Sequence, residues 1–250
     1  MRNAVRRWYY RAFRRKVPLT LGGGVHKVFW AGDPRMFTRI INAGGEREQL
    51  ERFLAAIEPG DVVWDVGAFI GMFAIFSAHR VGEQGHVYAF EPEASTLSRL
   101  RRNIDLNRAA PVEVIEAALG DHDGAAIIYA SKPGENAIHS LHHGKRHKAA
   151  GTNISLRSGD ALVTAGVAKS PNVVKMDIEG AEFQALTGMR NILQSETCRY
   201  LFLELHPTEL PGFGATPDAV RELLENAGFQ LEHEQIRGAE THLFYRKRGG

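Results

Sequence analysis

A single cysteine, Cys198, stands among 250 residues. No internal disulfide can form, and the chain is expected to work in a reducing compartment. Long apolar runs are missing too: none approaches the roughly 18 residues that cross a bilayer. The first residues lack the apolar centre of a secretory signal, so a cytoplasmic location is expected. Acid is missing from residues 1–16, which carry Arg2, Arg6, Arg7, Arg11, Arg14, Arg15 and Lys16. That segment is +7 in a chain of net charge +2, which leaves the remainder at −5. A mildly acidic body excludes a general nucleic-acid binder, whose basic residues line a face or groove. Also absent is the G-x-G-x-x-G turn of dinucleotide-binding folds, which counts against a nicotinamide-dependent oxidoreductase.

What is present is one substantial core's worth of apolar residues, 44% of the chain, and one domain is the default. Residues 1–58 are expected to form a basic, helical extension that caps the substrate side, with the main domain over 59–250. Wound as a helix, residues 2–16 gather Val5, Trp8, Tyr9 and Phe13 beside the arginines. Two readings stay open for it. The helix packs on the domain or on a second copy in a homo-oligomer, or it lies peripherally on an anionic membrane.

From Asp61 onward, short apolar runs alternate with helical segments. Strands are predicted at 62–66, 86–91, 112–119, 173–177 and 200–206. Helices are predicted at 71–81, 94–107, from about 180 to 193, and at 217–229. This alternation calls for an α/β fold with a mostly parallel sheet and helices on both faces. Segments 230–236 and 241–247 have no helix between them and should close the sheet as an antiparallel hairpin. Residues 125–130 read as a further strand. Beyond them, about 131–153 is rich in Gly, Asn, His and Lys and is expected to be a lid. Its His139, His142, His143 and His147 lack carboxylates at ligand spacing, so a solvated basic lid is expected rather than a metal site.

In open α/β sheets, ligands bind outside the carboxyl ends of the strands. The first exit, WDVGAFIGMF, offers Asp65, Gly67, Ala68, Phe69 and Gly71. Glycine there permits a tight turn and close approach to a ligand. An acid before the loop suits an amino-acid tail better than a pyrophosphate. The second exit, YAFEPEA, supplies Glu91 and Pro92; an acid in this place accepts hydrogen bonds from both ribose hydroxyls. The third exit, AALGDHDG, offers Ala118, Leu119 and Asp121 to an adenine ring. The three exits together read as a site for an adenosine nucleoside.

With VVKMDIEGAEFQALTG (173–188) and LFLELHP (201–207), these motifs resemble the FkbM family of S-adenosylmethionine-dependent methyltransferases, from about Asp61 to Pro207. The most specific part is the K-[IM]-D-[IV]-E-G-A-E pattern. The resemblance implies a Rossmann-like class I methyltransferase sheet of seven strands. It implies S-adenosylmethionine as cofactor and a sugar hydroxyl in a glycan, glycolipid or glycosylated natural product as acceptor. Two departures stand out. Phe69 replaces the family's usual Asn, and RSGDAL keeps only Asp160 of a T-L-D-D segment.

Lys175 and Asp177 share one face of their strand, and Glu204 and His206 share one face of the next. A Lys175–Glu204 pair is expected as a structural ion pair, or Lys175 could act as a desolvated base. Asp177 should lie beside the cofactor's methionine part. Glu179 and Glu182 lie three residues apart at a helix start, where the dipole alone also favours carboxylates. His206 has the ordinary pKa of a general base; Glu204 and Asp177 are its alternatives, and Glu179 completes the catalytic group. Asp177 and Glu204 could instead hold a divalent cation such as Mg²⁺. A non-catalytic scaffold would bind S-adenosylmethionine without transferring its methyl group.

Overall fold

The computed structural model describes residues 15–130, 139–140 and 151–249. The basic stretch 1–14 and most of the expected lid, including His142, His143 and His147, lie outside the described residues. Within 1–58, the described part opens with a hairpin of β1 (Lys16–Thr20) and β2 (His26–Trp30). Two short helices follow, α1 (Pro34–Ile41) and α2 (Arg47–Ala55). Asp33 starts α1 by accepting the amides of Arg35 and Met36 ahead of Pro34, a favoured N-cap arrangement.

Then come β3 (Val62–Val66), α3 (Met72–Val81), β4 (His86–Phe90), α4 (Ala94–Asn107) and β5 (Val112–Ile115). A second set of strands comprises β6 (Ala118–Gly120), β7 (Gly124–Ala130), β8 (His139–Ser140) and β9 (Gly151–Ser158). The chain continues through α5 (Gly159–Thr164), β10 (Val173–Met176), α6 (Glu182–Thr187), α7 (Arg190–Gln194) and β11 (Tyr200–Leu205). It closes with α8 (Pro217–Asn226) and the hairpin of β12 (Phe229–Arg237) and β13 (Glu240–Lys247). The main sheet has seven strands in the order β12-β13-β11-β10-β3-β4-β5, and only the pairings made by β13 are antiparallel. This is the expected class I methyltransferase architecture.

Two predicted elements are divided. The strand expected over 112–119 breaks at a tight turn, where Ala117 N–H donates to the carbonyl of Ile115. Its second half, β6, leaves the main sheet and pairs with β9 in a four-stranded sheet ordered β6-β9-β7-β8. The helix expected from 180 to 193 breaks at Gly188. A Cβ there would lie 1.9 Å from the carbonyl oxygen of Gly120, so the chain must pass this point without a side chain. Asp160 restarts the helix by accepting the amides of Asn191 and Ile192.

The parallel strands are apolar on both faces because helices cover both. On one face Phe53, Phe73 and Phe202 pack with ring centroids 5.4 to 6.2 Å apart; burying each such ring contributes about 1.5–3 kcal/mol. The N-terminal hairpin shares this core through Val17, Leu19 and Phe29. Two asparagines of α4 fasten it. Asn103 accepts Trp30 N–H at 2.7 Å and donates to the carbonyl of Ile70 at 2.9 Å. Asn107 bonds both the N–H and the carbonyl of Val28. Among the described residues, no helix is long and apolar enough to cross a membrane.

Candidate active site

Strand order reverses between β3 and β10, the place where an open α/β sheet leaves a crevice beyond its carboxyl ends. Gly67 turns the chain there with φ of 79°. A Cβ on it would lie 1.9 Å from the carbonyl oxygen of Asp177, so the two strand exits touch backbone to backbone. Gly71 starts α3 in a left-handed conformation, and a Cβ there would meet Leu100 at 2.5 Å. Phe69 is also left-handed, with φ of 52°, and Arg39 of α1 stands over its ring at 4.9 Å. The loop thus presents an aromatic ring at its tip, held by a residue of the N-terminal segment.

Glu91 is 7% exposed and ties this loop to the second exit. One carboxylate oxygen accepts Phe69 N–H and the other accepts Glu93 N–H, both at 3.0 Å. Burial pushes its pKa up to about 7 against those two amides. Pro92 follows it, and Ala118 and Leu119 begin β6 at the third exit, with Leu119 buried. Asp65 lies below the loop with no exposure. It accepts Ala74 N–H at 2.9 Å, and its other oxygen is 3.5 Å from the Lys175 ammonium. Asp65 therefore braces the loop from beneath.

The expected Lys175–Glu204 pair is replaced by a different one. In register, Lys175 stands opposite Asp65 on one side and Phe202 on the other. Its ammonium donates to the carbonyl of Gly67 at 3.0 Å and lies 3.6 Å from Asp177. Burial opposes this charge, but Asp177 and Asp65 overcome it and raise the pKa above the usual lysine value. Lys175 is thus a fixed cation, and the base reading for it fails. Asp177 keeps 21% of its side chain exposed. Burial would raise its pKa, yet Lys175 and His206 hold it below the usual carboxylate range.

His206 departs furthest from its expected state. It is 5% exposed, and its Nδ1 lies 2.7 Å from Glu182, itself fully buried. Its Nε2 faces Glu179 at 3.6 Å and Asp177 at 3.8 Å. Burial disfavours the imidazolium, but these three carboxylates prevail and raise the pKa to about 10. A histidine expected as a base is instead a cation at neutral pH. Glu204 is also displaced from the expected role: burial and then Asp177 and Glu46 raise its pKa to about 9, so it keeps its proton. Glu179 differs from both. Burial moves it to about 7 while His206 pulls it down, and 29% of its side chain stays exposed. Its backbone sits at φ of 55°, a costly conformation for a non-glycine residue and one that concentrates at functional sites.

Sequence reasoning missed the weight of Glu182, whose signal was only its spacing from Glu179. It also missed Glu46, Arg39, Glu240 and His242, which come from distant segments and had no local signal. The raised pKa values of His206 and Glu204 make stability fall as pH rises. A raised pKa means that the folded state holds a proton the unfolded chain releases. The contribution of His206 is complete below about pH 6.5 and lost toward 10; that of Glu204 is lost between about 4.5 and 9. By calorimetry, the unliganded protein is expected to melt at a lower temperature at pH 9 than at pH 6. Glu204→Gln should flatten the slope, and a melting temperature level or rising over that range would contradict the assignment.

A model of the methyltransferase FkbM domain matches residues 65–231. The hexuronic acid methyltransferase AglP of Haloferax volcanii is 33% identical over 84% of this chain and 80% of its own. The 31-O-demethyl-FK506 methyltransferase FkbM of Streptomyces tacrolimicus is 28% identical over 74% of this chain and 80% of its own. Among solved structures, a putative rRNA-methylase from Clostridium thermocellum superposes with a TM-score of 0.50 at 15% identity. That match covers 80% of this chain and 93% of the other, and it bears on the fold alone.

Proposed function

The chain belongs to the FkbM methyltransferase family and uses S-adenosylmethionine, and we propose that it methylates a hydroxyl oxygen of a sugar in a glycan, glycolipid or glycosylated natural product. The observation that carries the reaction type is Glu179, a partly exposed carboxylate with a pKa near 7 at the mouth of the crevice. A general base works best when its pKa lies near the working pH. The acceptor class is supported by the relative that acts on a hexuronic acid.

In this reading, S-adenosylmethionine supplies an already activated methyl group, so the protein's work is in-line positioning and removal of the hydroxyl proton. Glu91 receives the ribose hydroxyls, Gly67 to Gly71 lets backbone approach the ligand, and Ala118 and Leu119 border the adenine. Asp177, ionised by Lys175, faces the methionine part. Glu179 accepts the acceptor's proton. His206, held by Glu182, is a positioning residue that keeps Glu179 from climbing to a still higher pKa. The Mg²⁺ reading fits poorly. Asp177, Glu204 and His206 offer ligand atoms within 4.8 Å of one another, but Mg²⁺ prefers oxygen ligands alone. The Lys175 ammonium already neutralises Asp177. Proton removal here needs no cation. The same proposal has the protein working in the cytoplasm, with the basic residues 1–16 drawn to an anionic membrane when the acceptor is lipid-linked.

The test is transfer from labelled S-adenosylmethionine into host extract separated into glycans, glycolipids, proteins and small metabolites. Glu91→Ala serves as the blank. Label in a glycan or glycolipid fraction, absent from the blank, is expected. Label confined to protein would overturn the acceptor class, and cofactor binding with no label in any fraction would favour the scaffold.

A further inference from the structure

We propose that Glu204, Glu240 and His242 form a site for a divalent transition-metal cation on the β13 side of the pocket. The β11–β13 register places Glu204 directly opposite His242. Glu240 is two residues before His242 in the same strand, so its side chain leaves on the same face. One ligand atom from each residue can be taken such that all lie within 4.8 Å of one another. Ligands bound tetrahedrally to one such ion at about 2.0–2.3 Å lie about 3.3–3.8 Å apart, and His242 Nε2 and Glu204 Oε1, at 3.4 Å, already meet that spacing.

The second observation is the histidine itself. His242 is 1% exposed, and neither of its ring nitrogens has a hydrogen-bond partner. Its Nε2 lies 3.4 Å from Glu204 Oε1, but without hydrogen-bond alignment. Buried polar atoms nearly always find a partner, and a cation between imidazole and carboxylate supplies one.

The surrounding charge is mixed. Glu46 and Asp177 add negative potential, while Arg237 pairs with Glu46 and Lys175 pairs with Asp65 and Asp177. One imidazole and two carboxylates suit Mn²⁺, Fe²⁺ or Zn²⁺ better than Mg²⁺ or Ca²⁺. The site shares Glu204 with the Asp177–His206 group but draws its other two ligands from the C-terminal hairpin. Its occupation would fix Glu204 against β13 and so set that side of the crevice.

The experiment uses the full chain, stripped with a chelator, with neither S-adenosylmethionine nor acceptor present; its outcome is thus independent of the methyl-transfer reading. Free Mn²⁺ is followed by electron paramagnetic resonance, and Zn²⁺ by competition with a chromophoric chelator. One ion per chain is expected. Glu240→Gln and His242→Ala should each weaken binding by a factor of at least about 10, and Asp177→Asn should change it far less. Circular dichroism checks that His242→Ala still folds, and the half-buried Glu240 provides a second variant if it does not. No saturable binding up to millimolar metal overturns the proposal. So does binding that Asp177→Asn abolishes, whatever the other variants do.

Discussion

Changing Glu179 to glutamine is expected to slow methyl transfer by a factor of about 10² to 10⁴ while S-adenosylmethionine binds as before. Glutamine keeps the size of the side chain and meets the same backbone demand at φ of 55°. What it loses is the ability to take a proton. The wild-type rate should rise with pH through about 7, as Glu179 ionises, and this limb should vanish in the variant. His206→Gln separates the two roles. Removing the imidazolium 3.6 Å from Glu179 leaves Asp177, Glu204 and Glu240 to oppose its ionisation, so its pKa climbs. The acid limb of the profile should then move to higher pH, with turnover recovering in alkaline buffer. Stopped single-turnover rates across pH would show this. A Glu179→Gln enzyme with full activity would remove Glu179 from the mechanism.

Gly67→Ala carries the largest expected structural cost. Its new methyl group would sit 1.9 Å from the carbonyl oxygen of Asp177 and 3.0 Å from its carbon, at a φ of 79° that disfavours any side chain. Backbone cannot swing aside as a flexible side chain can, so the exits of β3 and β10 must separate. Asp177 N–H would lose its bond to the carbonyl of Val66, now 3.0 Å. A loss of about 3 kcal/mol or more is expected, or a fall of about 6–12 °C in melting temperature, together with loss of cofactor binding. Gly60→Ala is the control. Its φ is 90°, but nothing lies within 4 Å of the added Cβ, so only the backbone penalty of about 1 kcal/mol remains. If both variants melt alike, contact between the strand exits is not what demands glycine at 67.

The sheet was legible because β3, β4, β10 and β11 are buried on both faces and read as short, mostly apolar runs, with Asp65, Lys175 and Glu204 as their charged members. The closing hairpin was legible from the missing helix between its strands. Acids at the strand ends marked the crevice, since strand polarity alone brings those ends to one edge. Pairing within the crevice was not legible. Lys175 has a neighbour strand on each side, and only the register puts Asp65, rather than Glu204, beside it. The state of His206 depends on Glu182, 24 residues away in sequence. No rule of spacing announces that an imidazole will meet three carboxylates. The break at Gly188 likewise follows from the passage of Gly120 beneath it, a contact between segments that the sequence keeps far apart.

The amide of Asn103 reaches in two directions, to the N-terminal hairpin at Trp30 and to the turn after β3 at Ile70. For protein engineering, this decides where the molecule can be cut. Residues 16–58 are not a detachable module to be trimmed for crystallisation or exchanged between relatives to alter acceptor choice. Removing them would strip Phe29 from the core and leave a buried carboxamide without its acceptor's partner next to the cofactor loop. A graft that aims to retune specificity should keep β1 and β2 together with α4 and vary only what lies outside that joint.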